Sequence, residues 1–205
     1  MRKKKNHHFE TKVIHAGQKS DPTTGAVMTP IVLASTFEQS SPGVHKGYDY
    51  SRSINPTREA FENCIADLEN GYKGYGFSSG VAAISACVEL LSPGDHIIAM
   101  DDLYGGSVRL FNEIKSLSQG IEISYVDMTD TNNIKNAIKA STKMIFVETP
   151  TNPLLKIADL SKIAKLAKKE KILTVCDNTF ASPFNQKPIN AVSYTHLTLP
   201  TKRTV

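Results

Sequence analysis

Ile172-Leu173-Thr174-Val175-Cys176-Asp177-Asn178-Thr179-Phe180 is the stretch on which the fold reading turns. A β-branched and apolar run, Ile172 to Cys176, stops abruptly at Asp177. That is how a buried parallel strand looks when it delivers one carboxylate to the carboxyl edge of a sheet. In open α/β sheets, ligands bind at that edge. A carboxylate there needs a cationic or hydrogen-bonding partner, because burying a lone charge is costly. An N-cap or turn aspartate would give the same string, so this stretch alone leaves both readings open.

Outward from it, the pattern alternates. Apolar runs predict strands over 75–77, 96–100, 121–126, 144–147 and 172–175. Helical periodicity predicts helices over 57–69, 81–91, 108–117, 134–140 and 160–169. Asn55-Pro56 starts the first helix as N-cap and first-turn proline, and Asn70-Gly71 stops it. Strand–helix alternation at this spacing implies an α/β domain, a mostly parallel sheet with helices on both faces. Residues 1–50 carry turn and extended signals such as Asp21-Pro22, Thr29-Pro30 and Ser41-Pro42-Gly43. They read as an N-terminal arm that packs on something else, a second subunit being one such surface.

The composition suits a folded domain: 205 residues, 40% hydrophobic and 21% charged. The net charge of +4 is dispersed, without a basic stripe interleaved with aromatics, which argues against nucleic acid. There is no apolar run of membrane-spanning length and no signal peptide pattern, so no membrane partner is expected. Cys64, Cys87 and Cys176 sit in apolar patterns without metal-ligand spacing and read as reduced core thiols of a cytoplasmic protein. His7 and His8 read as part of a solvated terminus, and no metal is expected.

Further loops follow strands, where this architecture places ligands. Ser78-Ser79-Gly80-Val81 opens a helix whose free N–H groups suit a phosphate, though it matches neither the Walker nor the Gly-x-Gly-x-x-Gly pattern. Asp101-Asp102-Leu103-Tyr104-Gly105-Gly106 offers Tyr104 to stack on a flat ring. Glu148-Thr149-Pro150-Thr151-Asn152-Pro153 is stiffened by two prolines, and Asn152 can donate to a ligand oxygen. Tyr48-Asp49-Tyr50-Ser51-Arg52 precedes the first helix, with Tyr50 and Arg52 suited to clamp a phosphate. Each has an ordinary alternative as a cap, turn or surface pair; their joint occurrence at successive strand ends carries the argument.

Together, Tyr-Ser-Arg-x-x-Asn-Pro-Thr, Ser-Ser-Gly, Asp-Asp-x-Tyr-Gly-Gly, Glu-Thr-Pro-Thr-Asn-Pro and Asp-Asn-Thr-Phe resemble the pyridoxal phosphate enzymes of cysteine and methionine metabolism. The resemblance runs from about Lys12 to Pro188 and is nearest to the cystathionine γ-lyase and γ-synthase members. It implies the large domain of a fold type I enzyme that binds pyridoxal 5'-phosphate and acts on an amino-acid substrate. It implies a homo-oligomer, dimer or tetramer. In it, Asp177 would pair with the ring nitrogen and Tyr104, the catalytic candidate, would stack on the ring. Ser79, Gly80 and Val81 would hold the phosphate, and Asn152 would contact the ring hydroxyl. Thr179 would lie beside the ring, with Glu148 behind it. Tyr50 and Arg52 would reach the phosphate of the neighbouring subunit's cofactor. Val81 stands where the family usually has Met, and Gly106 where methionine γ-lyases usually have Cys. The implied activity is γ-elimination on cystathionine, with γ-replacement on an O-acylhomoserine as the alternative.

The resemblance stops near Pro188 to Ala191. The expected organisation is an arm over 1–50, a partial cofactor-binding domain over 51–192 and a foreign-looking tail over 193–205, with the C-terminal small domain missing. The tail resembles translated adapter sequence joined to a broken reading frame. The family's cofactor-linking lysine lies in a Ser-x-Thr-Lys motif. Counted without gaps from Asp177, Lys202 falls at that position behind Thr201, but Leu199 replaces the Ser. Lys202 therefore reads as an exposed tail lysine, the chain as inactive by itself, and the strand over 172–175 as an open sheet edge. Two other classes stay in play: a non-catalytic cofactor- or subunit-binding module, and a nucleotide-binding α/β domain.

Overall fold

The computed structural model describes residues 7–191 and 195–197. They fall into two compact units dividing between Gly76 and Phe77, each described by itself.

The first unit is built on one long helix. In chain order its elements are α1 (Phe9–His15), β1 (Gln39–Ser41), β2 (Val44–His45) and α2 (Pro56–Leu68). The Asn55 side chain caps α2, accepting from the Thr57 and Arg58 amides at 2.9 and 3.3 Å. Its amide nitrogen donates to Val32 O at 3.0 Å, and the Thr57 hydroxyl donates to Pro30 O at 2.8 Å. The same residues that start the helix therefore anchor the extended segment before it. Gly17 crosses α2 so closely that a Cβ there would lie 2.1 Å from Ala60 O. The sequence showed no periodicity before Asn55, yet α1 and a β1–β2 hairpin form. Both are short and bury nothing of their own, so neither leaves an apolar pattern to read.

The second unit is a five-stranded parallel sheet with helical crossovers. Its elements are α3 (Gly80–Val88), β3 (His96–Met100), α4 (Gly105–Arg109), a π-helical segment Leu110–Lys115, α5 (Ser116–Gln119) and β4 (Glu122–Val126). Then follow α6 (Thr131–Ala137), β5 (Thr142–Glu148), α7 (Leu160–Glu170), β6 (Leu173–Asp177), α8 (Pro188–Ala191) and β7 (Thr195–Leu197). β3 and β5 run apolar almost throughout and are buried along nearly their whole length, as a sheet covered on both faces requires. Phe111 meets Phe146 edge-on, ring centroids 5.1 Å apart, in the core between the π-helical segment and β5.

The strand order is β4-β3-β5-β6-β7. The chain leaves β3 in one direction and β5 in the other, which makes the gap between the carboxyl ends of β3 and β5 the topological switch point. Right-handed crossovers in opposite directions put helices on opposite faces.

The α/β expectation holds, and four of the five predicted strands form. The strand expected over 75–77 does not: the Gly76 amide instead donates to Glu62 Oε1 at 2.8 Å, and Gly74 packs against the α2 backbone. The helix expected over 108–117 starts three residues early, at Gly105, and passes through the π-helical turn. The open edge expected beside the 172–175 strand is occupied, since Thr195–Leu197 pairs in parallel with β6, Leu197 opposite Asp177. Lys202 and Leu199 lie outside the described residues.

Candidate active site

The carboxyl edge of the sheet gathers three acidic side chains from three strand ends. Asp102 follows β3, Glu148 ends β5 and Asp177 ends β6, and all three are buried. Burial of adjacent carboxylates demands donors, and the loops supply them. Glu148 Oε2 accepts the Tyr104 amide at 3.0 Å, and Oε1 accepts the Asn152 amide at 2.9 Å. Asp102 accepts the Thr151 hydroxyl and, at 2.9 Å, the Leu154 amide. Asp177 accepts the Thr179 hydroxyl and, at 3.1 Å, the Thr179 amide.

Desolvation pushes Glu148 up to about 7 from an ordinary 4.5, despite the two amides that favour its charged form; Asp177 and Asp102 push the same way. This raised carboxyl lies at the switch point itself.

Tyr104, Asn152 and Thr179 are thus held by these acids. Tyr104 is half exposed, its ring lying over Gly106. A Cβ on Gly106 would sit 2.4 Å from Tyr104 Cε1, so glycine there sets where the ring lies. Ser79 caps α3 through its hydroxyl, which accepts the Ala82 amide at 3.1 Å. That leaves the Gly80 and Val81 amides at the helix start without an intrahelical acceptor, the arrangement that suits an anion. The Glu148–Ala158 loop is tied back on itself, with the Ala158 amide on Thr149 Oγ1 at 3.0 Å. In the first unit Arg52 lies over the Tyr50 ring, 4.9 Å from its centroid, so those two predicted residues are neighbours.

Sequence reasoning missed three supports of this edge. Asp102 was quoted within a motif but given no role, although it holds the Thr151 loop. Lys156 bridges Asp101, at 2.8 Å, and Asp127, at 3.2 Å, joining the loops after β3, β4 and β5. Gln186 donates to Thr149 O at 2.8 Å and to Asn178 Oδ1 at 2.5 Å, tying the loop after β6 to the loop after β5. The carboxylates were visible as acids at strand ends; Lys156 and Gln186 sit in loops with no pattern to mark them.

Fold and edge together define an α/β ligand-binding domain with a buried acidic floor. Comparison with known proteins makes the class specific: residues 10–193 match the Cys/Met metabolism PLP-dependent enzyme family, and the chain belongs to it. That family works with pyridoxal phosphate. The chain is 58% identical over 90% of its length to a cystathionine beta-lyase of Coxiella burnetii, covering 48% of that protein. It is 47% identical over 88% of its length to a cystathionine gamma-lyase of Bacillus subtilis, covering 47% of that one. The crystal structure of cystathionine gamma-lyase from Lactobacillus plantarum complexed with L-serine superposes with a TM-score of 0.89 at 47% identity, over 93% of this chain and 50% of that one. The chain therefore spans about half the length of the curated relatives it matches.

Proposed function

We propose that the chain is the cofactor-binding part of a pyridoxal 5'-phosphate-dependent carbon–sulfur lyase acting on cystathionine. The observation that carries this is the buried acidic pair at the sheet edge, Asp177 beside Glu148, with Glu148 accepting the amide of the half-exposed Tyr104. The donor set suits the group: a buried carboxylate for a ring cation, an aromatic face for the ring, and two uncommitted helix-start amides for the phosphate. When bound, the cofactor supplies an electron sink for charge developing on the substrate α-carbon. Asp177 holds the ring-nitrogen proton, and Thr179 fixes the Asp177 carboxylate. Tyr104 covers the ring, Gly80 and Val81 bind the phosphate, and Asn152 faces the ring hydroxyl. Tyr50 and Arg52 serve the phosphate of a partner subunit in a homo-oligomer. Exposed Val27, Met28, Ile31 and Leu33 on the preceding arm support that assembly.

The family resemblance implies γ-elimination, with γ-replacement on an O-acylhomoserine as its alternative. The 58% identity to a cystathionine beta-lyase favours cleavage of the bond on the other side of the sulfur. The products separate the two: β-elimination releases homocysteine and pyruvate, γ-elimination releases cysteine and 2-oxobutyrate, and both release ammonia. Residues 1–191 joined to the C-terminal half of the Coxiella relative and given cystathionine should release one of these pairs. Release of neither, from a chimera that folds and binds cofactor, would overturn the lyase reading.

The 205-residue chain alone is expected to show no turnover. Lys156, a lysine on this edge, is committed to Asp101 and Asp127. Mixed with pyridoxal phosphate and cystathionine, the chain should release no keto acid. Borohydride-stable labelling of Lys202 together with turnover would refute this.

A further inference from the structure

Tyr104 and Asn152 belong to different loops, one on each side of the switch point between β3 and β5. Further along, Asp102 of the first loop accepts from Thr151 and Leu154 of the second, and Lys156 of the second donates to Asp101 of the first. At Tyr104 and Asn152 themselves the tie is one side chain. Glu148 gives one oxygen to each loop: Oε2 to the Tyr104 amide at 3.0 Å and Oε1 to the Asn152 amide at 2.9 Å. Glu148 is 3% exposed, so water cannot replace either bond at little cost.

We propose that Glu148 is a positioning residue, one carboxylate that clasps the Tyr104 amide to the Asn152 amide and opens that clasp when it takes up a proton. The proposal rests on the cofactor-binding reading of Tyr104 and Asn152, and it adds a regulatory device to that site. An ionised carboxylate accepts at both oxygens. A protonated one keeps a good acceptor at one oxygen and places a donor hydroxyl at the other, opposite an amide N–H. One of the two amides must then lose its acceptor.

The charged groups bearing on Glu148 are Asp177 from β6 and Asp102 from the loop after β3; both are acidic and both favour its protonated form. The change of state therefore falls near neutrality, where burial has pushed Glu148 up to about 7. Above that pH the clasp is closed, and the ring-covering tyrosine and the asparagine are held in register. Below it one of the two amides loses its acceptor, while Asp102 still holds Thr151 and Leu154.

The test needs no cofactor. In the uniformly nitrogen-15-labelled 205-residue chain, the amide resonances of Tyr104 and Asn152 should titrate between pH 5 and 9 with one shared midpoint near 7. Their solvent-exchange protection should rise together by about tenfold across it, after correction for base-catalysed exchange. In Glu148→Gln both titrations should vanish, and one of the two amides should lose its protection, since glutamine offers one acceptor and one donor. Glu148→Asp, one methylene shorter, should protect at most one of them. Separate midpoints for the two amides, or a shared midpoint that survives Glu148→Gln, would overturn the proposal. If Glu148→Gln fails to fold, the parent titration and Glu148→Asp still decide it. Adding pyridoxal phosphate to the parent chain separates the two ideas: a shared titration without binding keeps the clasp and rejects the cofactor role, and binding with separate midpoints does the reverse.

Discussion

Glu148 and Asp177 end adjacent parallel strands, Cα opposite Cα across the β5–β6 pairing, and they serve different masters. Glu148 accepts backbone amides from two loops, while Asp177 holds the Thr179 hydroxyl and amide beside it. One acid organises loops, and the other is organised by its neighbour. Burial drives Glu148 up towards neutrality, and the neighbouring Asp177 charge pushes the same way.

Asp177→Asn separates the ligand role of that residue from its local one. The asparagine oxygen still accepts from Thr179, so stability should change by less than about 1 kcal/mol. Asparagine cannot balance a ring cation, so pyridoxal phosphate affinity should fall at least about tenfold, or ~1.4 kcal/mol. Absorbance titration at pH 8 measures this. Removing the neighbouring charge should also lower the Glu148 midpoint below its parent value near 7, visible through the Tyr104 amide. Unchanged affinity would take Asp177 out of the ring-nitrogen role.

Gly106→Ala addresses Tyr104. Gly106 lies in α4, where alanine is the better helix former by about 1 kcal/mol. The obstacle is the Tyr104 ring, whose Cε1 would be 2.4 Å from the new Cβ. That ring is half exposed and swings aside without disturbing the core. The melting temperature should therefore hold or rise while the Tyr104 ring resonances shift and cofactor affinity drops several-fold. Stability and binding moving down together would mean that the ring position is coupled to the core.

Much of this site was legible in the sequence because its acids terminate apolar runs. Glu148 and Asp177 each close a strand, and a carboxylate after four or five buried residues has few structural uses. The order of the strands was not legible, and with it the switch point. That order comes from the direction of each crossover, which no local pattern encodes. The Lys156 bridge was hidden for a related reason: its partners, Asp101 and Asp127, are 55 and 29 residues away and meet it only once the strands are in order. The first unit was least legible. Its order comes from polar side chains such as Asn55 and Thr57 reaching back to an extended segment, and those bonds leave no periodicity.

Gly17→Ala tests that hidden order. Gly17 has φ +72, a left-handed conformation that costs an alanine about 1 kcal/mol or more. The added Cβ would also fall 2.1 Å from Ala60 O and 2.6 Å from Cys64 N, both backbone atoms that cannot swing away. The crossing over α2 must open, and urea denaturation should show a loss of more than about 2 kcal/mol. A loss below 1 kcal/mol would mean that the segment before α2 is not held against it.

His96 supplies the acid limit of the sheet. It is fully buried, with Nδ1 2.8 Å from Thr142 Oγ1 on β5 and Nε2 2.9 Å from Ser124 Oγ on β4, so one ring ties three strands. Thr142 Oγ1 also accepts the Lys139 amide at 2.8 Å, an arrangement that suits a neutral imidazole accepting the Thr142 proton. Desolvation holds His96 below its ordinary 6.5; Lys139 adds to this and Glu122 opposes it. The folded state then binds fewer protons than the unfolded one, so this stability is present at neutral pH and is lost as pH falls below 6.5. Glu148 acts with the opposite sign, since its raised value makes the folded state lose stability as pH rises from 4.5 towards 7. The parent curve is the sum of the two, and His96→Phe isolates one part. That variant should cost about 1–3 kcal/mol at pH 7.5, because it strands the buried Thr142 hydroxyl and the partly buried Ser124 hydroxyl. It should also lose the decline below pH 6.5, leaving a curve that falls as pH rises through the Glu148 range. Urea midpoints at half-unit pH intervals give both curves. A variant that keeps the parent's acid decline would place the proton uptake on another group.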